Sequence, residues 1–314
     1  ILDNLSNSDA SVVRRIGMIC GREPVFMAGD IRDKALLKQL FSTYPVSAVL
    51  HFAGLKAVGE SVSKPLEYYD NNVAGTLILL EAMRDAKIKT LVFSSSATVY
   101  GDPASVPISE GFPRSATNPY GQSKLMIEHI LADVFASEPD WRLARLRYFN
   151  PVGAHESGLI GENPKGIPNN LMPFIAQTAA GIRDQLSVFG NDYPTIDGTG
   201  VRDYIHVVDL ANGHVAALDY LEHNQDLLTV NLGTGQGVSV LELIKSFETV
   251  NNCKVPFRFT ERRAGDIAEC WADTGLANQR LGWRASRGLP EMCRDTWRWQ
   301  NTCGSKGAKG DKDA

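Results

Sequence analysis

Short apolar runs rich in β-branched residues alternate along this chain with longer stretches of helical periodicity, and this alternation limits the fold more than any other feature. Residues 46–52, 90–95 and 142–149 have the pattern of buried strands, whereas residues 65–85 and 119–136 have the pattern of helices. Strands separated by helices of this length form a parallel sheet with crossover helices. We therefore predict a doubly wound parallel α/β fold.

The pattern changes beyond about residue 150, because glycine and proline become frequent in residues 151–168 and again in residues 190–200. Helical periodicity returns in residues 170–181, 208–222 and 238–250. We expect this half to form a smaller lobe over the carboxyl ends of the strands, because those ends bind the ligand in open parallel sheets.

We accordingly divide the chain into three parts. Residues 1–150 are predicted to form a nucleotide-binding domain, and residues 151–300 mainly a substrate-binding lobe with some returns to the sheet. Residues 301–314 contain Gly, Lys and Asp but no large apolar side chain, so we expect them to be disordered.

Composition argues against several classes of function. Proteins that bind the phosphate backbone of nucleic acids normally carry a basic face. The formal net charge of this chain is −4, so we expect no nucleic-acid partner. No apolar run has the length of a membrane span. The five cysteines and six histidines show neither CxxC nor HExxH spacing, so we predict no disulfide framework, no metal site and a reducing, cytoplasmic location.

The first residues have the pattern of a strand end that carries an acid, Asp3. In a dinucleotide-binding fold this acid follows a glycine fingerprint by about 20 residues and bonds the ribose hydroxyls. No such fingerprint precedes Asp3 here, so we expect roughly 25–30 further residues before Ile1 in the parent protein. A carboxylate at Asp3 repels a 2′-phosphate, which favours NAD over NADP.

The strongest chemical signal is Tyr120 followed four residues later by Lys124. Asn118 is the predicted N-cap of their helix and Pro119 its first residue. The spacing places both side chains on one helix face. A free tyrosine has a pKa near 10, but a neighbouring ammonium, helped by a cationic nicotinamide ring, favours the phenolate. Because the YxxxK pattern also occurs by chance on surface helices, the motif needs support from its surroundings.

Three serines at the end of the second predicted strand provide that support. A hydroxyl at a strand's carboxyl end faces the ligand cleft and can bond the substrate oxygen that the tyrosine deprotonates. Ser96 is the candidate catalytic hydroxyl and Ser94 a candidate substrate contact. For Ser95 we accept the alternative that it only begins a loop.

Longer strings extend this pattern: HFAGLKAVGESV from His51, YYDNNVAGT from Tyr68, SSSATVYG from Ser94, NPYGQSK from Asn118, RYFNPVGAH from Arg147, GIPNNLMPFI from Gly166 and GTGVRDYIHVVDLA from Gly198. They resemble the extended short-chain dehydrogenase family, and within it the enzymes that epimerise UDP-hexoses at C4. The likeness runs from Ile1 to about Gln300.

The resemblance implies a Rossmann-type fold with NAD as cofactor, a UDP-sugar as substrate and a homodimer formed through the helices of residues 65–85 and 119–136. Tyr120 would be the base and acid at the sugar O4, Lys124 its electrostatic partner and a ribose ligand, and Ser96 the third catalytic group. The cycle would convert UDP-galactose to UDP-glucose through a 4-keto sugar, without net redox change.

The resemblance also implies two sets of binding residues. The NAD-binding positions would be Asp3, Asn4, Asp30, Ile31, Phe52, Ala53, Gly54, Lys56, Asn71, Tyr120, Lys124 and Tyr148. The UDP-sugar positions would be Ser94, Ser96, Asn150, Asn170, Leu171, Val188, Phe189, Arg202, Arg263, Asp266 and Cys270.

Physical chemistry supports part of this assignment. Arg202 and Arg263 suit a pyrophosphate, because a guanidinium fork binds oxyanions bidentately. A helix that opens near Asn170 offers unpaired N–H groups to another anionic group. Alternatives stay open: Arg202 could pair only with Asp203, and Asn169 could be only a helix cap.

Cys270 suggests a broader substrate range. In the family this position beside the hexose 2-substituent carries either a bulky tyrosine or a smaller residue. A small side chain leaves room for an N-acetyl group, which predicts activity on UDP-N-acetylhexosamines. The alternative is a buried thiol without influence on selectivity.

Three rival functions remain. A nucleotide-sugar 4,6-dehydratase needs acidic groups directly after its active-site serine or threonine, whereas Ala97 and Thr98 follow Ser96. An NADP-dependent sugar reductase is disfavoured by Asp3. A non-catalytic fragment or regulatory relative that does not bind the cofactor is favoured by the absence of a glycine fingerprint, but the chain retains Tyr120, Lys124 and Ser96.

Overall fold

The computed structural model describes residues 1–263 and 265–304. Its strands are β1 (Leu2–Asp3), β2 (Met27–Ala28), β3 (Val49–His51), β4 (Thr90–Ser96), β5 (Arg142–Tyr148), β6 (Asn150–Val152), β7 (Leu186–Phe189), β8 (Val201–Arg202), β9 (Tyr204–His206), β10 (Leu227–Leu232), β11 (Val238–Ser239), β12 (Phe257–Thr260) and β13 (Glu269–Cys270).

Its α-helices are α1 (Ser11–Cys20), α2 (Lys34–Thr43), α3 (Val58–Ser63), α4 (Pro65–Tyr68), α5 (Gly75–Asp85), α6 (Pro119–Ser137), α7 (Leu171–Ala179), α8 (Val207–His223), α9 (Val240–Asn251), α10 (Gly275–Leu281) and α11 (Leu289–Trp299). Ala97–Tyr100 forms a 3₁₀ turn, and Tyr69–Ala74 and Gln300–Gly304 are π-helical.

The central sheet has the strand order β10-β5-β4-β3, and all its neighbouring strands are parallel. Phe93 and Leu143 on one face pack with α5 and α6, whereas Val92, Ala144 and Leu146 on the other face pack with α8. Helices therefore cover both faces of a parallel sheet, which confirms the predicted Rossmann-type fold. A separate parallel pair, β1–β2, carries Asp3 at its end.

The second half of the chain builds smaller sheets beside the central one. β6 pairs with β9, β8 with β11 and β13, and β7 with β12. Their core lies among α7, α9 and α11 around Ile175, Leu243 and Phe247. β10 belongs to the central sheet although it follows these elements in the chain. The domain boundary at about residue 150 stays a prediction.

The predicted helix over residues 65–85 is interrupted by the π-helical turn Tyr69–Ala74. The side chain of Asn72 points inward from this turn: its Oδ1 accepts from Leu55 N at 2.8 Å, and its Nδ2 donates to Leu55 O at 2.9 Å. The same Nδ2 donates to Ser123 Oγ at 3.0 Å. π-Turns are frequent at functional sites, and this one orients an amide that the apolar pattern does not reveal.

Two further boundaries differ from the prediction. The helix predicted from residue 238 begins at Val240, because Ser239 is its N-cap and forms a capping box with Glu242. Gln300–Gly304 continues α11, so the expectation of disorder from residue 301 is wrong for residues 301–304. Residues 305–314 lie outside the described residues. No helix in the described part combines the length and apolar character that a membrane crossing requires.

Candidate active site

The carboxyl end of β4 forms the floor of the site, and its three serines point to different partners. Ser94 Oγ lies 2.8 Å from His214 Nε2, and Ser95 Oγ donates to Glu128 Oε1 at 2.6 Å. Ser96 lies at the strand end, where its Oγ accepts from the backbone N–H of Thr98 at 3.2 Å. All three serines are in the strand, so the alternative that they begin a loop is wrong, and Ser95 belongs to the buried interior.

Helix α6 brings the predicted tyrosine and lysine to this strand end. Asn118 is its N-cap, as predicted, because Asn118 Oδ1 accepts from Gly121 N at 2.9 Å. Lys124 Nζ donates to the backbone oxygen of Ser94 at 2.9 Å and lies 6.0 Å from the centroid of the Tyr120 ring. Lys124 and Tyr120 are both buried.

Burial dominates the ionisation of both groups. It raises the pKa of the Tyr120 phenol, and a hydrogen bond with the Ser96 hydroxyl opposes this rise. It also lowers the pKa of Lys124 to about 8. In the chain by itself the apolar surroundings disfavour both charges. The prediction that the ammonium and a cationic nicotinamide ring together favour the phenolate stays a prediction.

Aromatic side chains form one wall of the site. Phe52, directly after β3, is 56% exposed, and its ring centroid lies 4.7 Å from that of His214. Tyr148 at the end of β5 lies 6.1 Å from the same ring. Burial raises the pKa of Tyr148, and a hydrogen bond with Ser94 opposes the shift. The sequence reading did not identify His214, since its contacts with β3, β4 and β5 are long-range.

The chain passes Lys124 closely at Gly54. A β-carbon there would lie 3.6 Å from Lys124 Nζ and 3.3 Å from Asn72 Oδ1, so glycine keeps this backbone open beside the lysine. Asn71 donates from its Nδ2 to Asn72 Oδ1 at 2.9 Å. Ala53 and Phe52 complete this exposed segment. Asn72 is a site residue that the sequence reading missed.

The end of β1 brings three predicted nucleotide ligands together. Asp3 Oδ1 accepts from Leu5 N at 2.7 Å and from Ser8 Oγ at 2.9 Å. Asn4 Nδ2 donates to Asp30 Oδ2 at 3.0 Å. The hydrogen bond from the Arg32 side chain holds the pKa of Asp30 well below its usual range. The side chain of Ile31 is buried and packs against Gly75.

Glu162 connects two predicted ligands from different parts of the chain. Its Oε1 lies 3.7 Å from Lys56 Nζ and accepts from Asn170 Nδ2 at 2.6 Å. Asn170 precedes α7 but makes no side-chain cap, and Leu171 is the first helical residue. The sequence reading missed Glu162, which no short motif marks.

The predicted uridine end is formed by β7 and the segment before β13. The Arg263 guanidinium carbon lies 4.4 Å from the ring centroid of Phe189, and Arg263 Nε donates to Asp266 Oδ2 at 3.1 Å. Val188, by contrast, is buried in the core of the second half. The Val188 side chain is therefore not exposed to a ligand. Of these two residues, only Phe189 can contact a ligand with its side chain, through the face of its ring.

Arg202 and Cys270 are paired across neighbouring parallel strands. Arg202 Nη1 donates to the backbone oxygen of Val201 at 2.8 Å. The Asp203 carboxylate instead accepts from Thr234 and neighbouring backbone N–H groups, so the alternative that Arg202 only pairs with Asp203 is wrong. Burial raises the pKa of the Cys270 thiol to about 11, which keeps it neutral.

Asn150 is the exposed first residue of β6, which pairs with β9. The backbone N–H of Asn150 donates to the backbone oxygen of Asp203 at 3.0 Å. β4, β5 and α6 thus bring together Ser94, Ser96, Tyr120, Lys124 and Tyr148. That Asn150, Arg202 and Cys270 from the second half complete the same site stays a prediction.

A parallel sheet with a serine at a strand end, and with a buried tyrosine–lysine pair on the following helix, defines an extended short-chain dehydrogenase. The family model described as GDP-mannose 4,6 dehydratase matches residues 4–296. The chain is 58% identical to UDP-glucose 4-epimerase of Bacillus subtilis over 302 residues, which is 96% of this chain and 89% of that relative.

Solved structures agree with these sequence comparisons. UDP-glucose 4-epimerase of Stenotrophomonas maltophila, with bound NAD and formylated UDP-arabinopyranose, is 55% identical with a TM-score of 0.95, covering 98% of this chain and 91% of that chain. The enzyme of Bifidobacterium longum, in complex with NAD⁺ and UDP, is 50% identical with a TM-score of 0.93, covering 96% and 90%. The chain belongs to the UDP-glucose 4-epimerase family. The dehydratase alternative is not favoured, and Ala97 and Thr98 after Ser96 supply no acid.

Proposed function

We propose that this chain is an NAD-dependent isomerase that inverts C4 of UDP-galactose to give UDP-glucose. The observation that carries the proposal is the meeting of Tyr120, Lys124 and Ser96 at the carboxyl end of β4, in a chain of this family. Tyr120 takes the proton from the sugar O4 and later returns it. Ser96 donates a hydrogen bond to the same oxygen, and the ammonium of Lys124 stabilises the phenolate.

NAD fits the residues at the strand ends. Asp3 retains one carboxylate oxygen, Oδ2, beyond its contacts with Leu5 and Ser8, which can accept from ribose hydroxyls. The exposed ring of Phe52 and the open backbone at Gly54 offer a surface beside Lys124. NAD, when bound, supplies the acceptor for the C4 hydride and returns it to the opposite face of the 4-keto sugar.

We assign the remaining nucleotide contacts by the same reasoning. Asn4, Asp30, Ile31, Ala53, Lys56, Asn71 and Tyr148 complete the NAD site. Ser94, Asn150, Asn170, Leu171, Val188, Phe189, Arg202, Arg263 and Asp266 complete the UDP-sugar site. The Ser94 contact would require its hydroxyl to leave His214, and the Val188 contact would be made by its backbone.

Affinity for the substrate resides in the nucleotide. The guanidinium groups of Arg202 and Arg263 suit the pyrophosphate, and the ring of Phe189 suits the base. The hexose itself is held loosely, because the 4-keto sugar has to turn over before the hydride returns.

The small side chain of Cys270 supports activity on UDP-N-acetylhexosamines as well. Cys270 lies next to Arg202 across β13 and β8, at the edge of the proposed sugar pocket. A neutral thiol in this place occupies little volume and leaves room for an N-acetyl group.

We further propose that the enzyme is a cytoplasmic homodimer. Val62, Leu66, Leu77 and Met126 are exposed apolar side chains on α3, α4, α5 and α6, of which α3 and α4 both contact α6. An apolar surface on neighbouring helices suits a symmetric interface. Cys20, Cys253, Cys270 and Cys293 are free thiols, which suits a reducing compartment.

The direct test is to incubate the purified chain with UDP-galactose, with and without added NAD, and to separate UDP-glucose by chromatography. The proposal predicts conversion in the presence of NAD, and conversion without added NAD if the cofactor stays bound during purification. A lack of conversion with NAD present, in folded protein that binds UDP, would overturn the assignment.

A further inference from the structure

A basic cleft lies beside β5, β10 and helix α6. It is lined by residues 110–114, His129, Arg145, Arg147 and Thr229 and has a volume of about 500 Å³. Pockets for small molecules span roughly 300–1,000 Å³, so this volume suits a small metabolite.

The cleft follows from the register of the sheet. Side chains of alternate residues share a face, so Phe93, Arg145 and Thr229 lie in one row across β4, β5 and β10. Helix α6 covers the apolar part of this face through Ile127 and Leu131. β10 is the edge strand, and from β5 outward the same face is polar and open.

Positive charge in the cleft exceeds the negative charge available to neutralise it. The Glu128 carboxylate is already engaged by Arg147, at 2.6 Å and 2.8 Å, and lies 3.7 Å from Arg114. The second acid, Glu110, already accepts from the backbone N–H of Asn231 at 2.7 Å, and burial raises its pKa. Arg145 makes no ion pair with a carboxylate of the described residues.

Arg145 is half-buried and only partly satisfied. Its Nε donates to Thr229 Oγ1 at 2.7 Å, and its Nη1 donates to the backbone oxygen of Glu128 at 3.0 Å. Both acceptors are uncharged. Burial lowers the pKa of its guanidinium, and the nearby Glu128 carboxylate opposes this shift, whereas Arg147 and Arg114 add to it. A half-buried cation that no carboxylate contacts directly is costly, and an incoming anion would relieve that cost.

We propose that the basic cleft binds a small phosphate monoester, whose phosphate group is held by the guanidinium groups of Arg114 and Arg145. A dianionic phosphate matches two guanidinium forks in charge and in hydrogen-bond geometry. The remaining volume of the cleft accommodates the polyol part of the ester. His129, exposed on α6, lies at the rim as a further hydrogen-bonding group.

The cleft is connected to the catalytic strand through a buried network. Glu128 accepts from Ser95, which stands between Ser94 and Ser96, and also from Arg147, which precedes Tyr148. None of the residues that line the cleft is assigned to the active site, so the ligand would bind outside it.

The test is a thermal-shift titration with glucose 6-phosphate in the presence of saturating NAD and UDP, at constant ionic strength. We expect glucose 6-phosphate to raise the melting temperature in a saturable way, whereas glucose does not. In Arg145→Gln the apparent affinity should fall by about tenfold or more, since a hydrogen bond to a charged group is lost. Arg114→Gln should weaken it in the same direction.

Arg142→Gln is the matched control, because Arg142 lies on the same strand and contacts only the backbone oxygen of Glu222 among the described residues. It should keep the wild-type response. An equal response in Arg145→Gln, or the same response to glucose, would overturn the proposal. Arg145→Lys tests for misfolding: it retains the charge and should retain part of the affinity. The effect of Arg145 on the binding of glucose 6-phosphate tests this proposal independently of the epimerase proposal, because it is measured without UDP-sugar turnover.

Discussion

At the scale of single residues, the chemistry of Tyr120 depends on what surrounds it. Burial raises the pKa of its phenol, so at neutral pH the group is protonated in the chain by itself. The i, i+4 spacing with Lys124 brings the two side chains together but does not by itself produce a phenolate. Positive charge from a bound cofactor and the ammonium have to act jointly on a group that is removed from water.

Tyr120→Phe should reduce turnover of UDP-galactose by roughly 10²–10⁴-fold, because it removes the proton acceptor and donor at O4. UDP binding should change little, because the residues assigned to the nucleotide lie elsewhere. Turnover is measured by chromatography and UDP affinity by calorimetry. Loss of UDP binding in the variant would contradict the catalytic role.

Cys270→Tyr should reduce activity on UDP-N-acetylglucosamine by about tenfold or more while retaining activity on UDP-glucose. The reason is steric, because the larger side chain would occupy the space that we assign to the N-acetyl group. The ratio of kcat/KM for the two substrates is the measurement. Cys270→Ser is the control and should leave the ratio unchanged; an equal loss on both sugars in the tyrosine variant would refute the idea.

Because Lys124 is buried, the free energy of unfolding of nucleotide-free protein should depend on pH. Its pKa is about 8 in the folded chain, against a usual value of 10.5, because burial disfavours the ammonium. Between about pH 8 and pH 10.5 the unfolded chain binds more protons at this lysine than the folded chain does. The free energy of unfolding therefore rises with pH in this range.

Relative to Lys124→Met, the wild-type free energy of unfolding should therefore increase by on the order of 3 kcal/mol between about pH 8 and pH 10.5. Urea unfolding of both proteins across this range measures the difference and cancels the titration of other groups. A difference that is flat or falls with rising pH would show that Lys124 is not buried as a poorly solvated amine.

At the scale of secondary-structure elements, helix α6 depends on how it begins. Asn118 accepts a hydrogen bond from Gly121 N, and Pro119 holds the first helical residue in the correct conformation. Both signals are local, which is why the start of this helix could be predicted from the sequence. Tyr120 is the second residue of the helix, so the cap also positions the proposed catalytic phenol.

Asn118→Ala should lower the free energy of unfolding by about 1 kcal/mol, because one N–H at the start of α6 loses its partner. It should also reduce kcat, since fraying of the first turn displaces Tyr120. Asn118→Asp retains the acceptor oxygen and should recover most of the stability. Chemical denaturation and steady-state kinetics measure the two effects, and equal losses in both variants would argue against capping as the cause.

The predicted helix over residues 65–85 is an element whose structure local sequence signals do not fully predict. Its apolar periodicity predicts one continuous helix, but the chain forms α4, a π-helical turn and α5. The turn places Asn72 against Leu55 and Ser123, and Ser123 is 51 residues away along the chain. Propensity and periodicity carry no information about such a contact, because it exists only after α6 has packed.

At the scale of the whole molecule, the apolar side chains of Val62, Leu66, Leu77 and Met126, which we assign to the proposed interface, are exposed in one chain. Leu66 is 81% exposed and Val62 65%. These values suit side chains that a second copy covers, since large apolar patches are uncommon on monomers.

Leu66→Glu should shift the protein from dimer to monomer, because it buries a charge in the proposed interface. Multi-angle light scattering after size-exclusion chromatography gives the mass directly. Ile196→Glu is the matched control: Ile196 is 83% exposed, lies outside this surface and should leave the mass unchanged. A wild-type chain that is monomeric at micromolar concentration would refute the homodimer.

The sequence by itself determined the parallel α/β class and the positions of β4, β5, α6 and α8 within a few residues, and it predicted Tyr120, Lys124 and Ser96 as the chemical centre. These conclusions depend on periodicity, capping and spacing, which are properties of neighbouring residues. Resemblance added the nucleotide-binding positions, whose roles remain proposals.

The tertiary structure decided what these groups meet. It placed His214 beside Ser94 and Phe52, joined Lys56 and Asn170 through Glu162, and ruled out the alternative of an Arg202–Asp203 ion pair. It also buried the side chain of Val188 in the core and raised the pKa of Tyr120. The physical reason is that burial and long-range contacts set protonation and orientation, and both arise only when distant segments pack together.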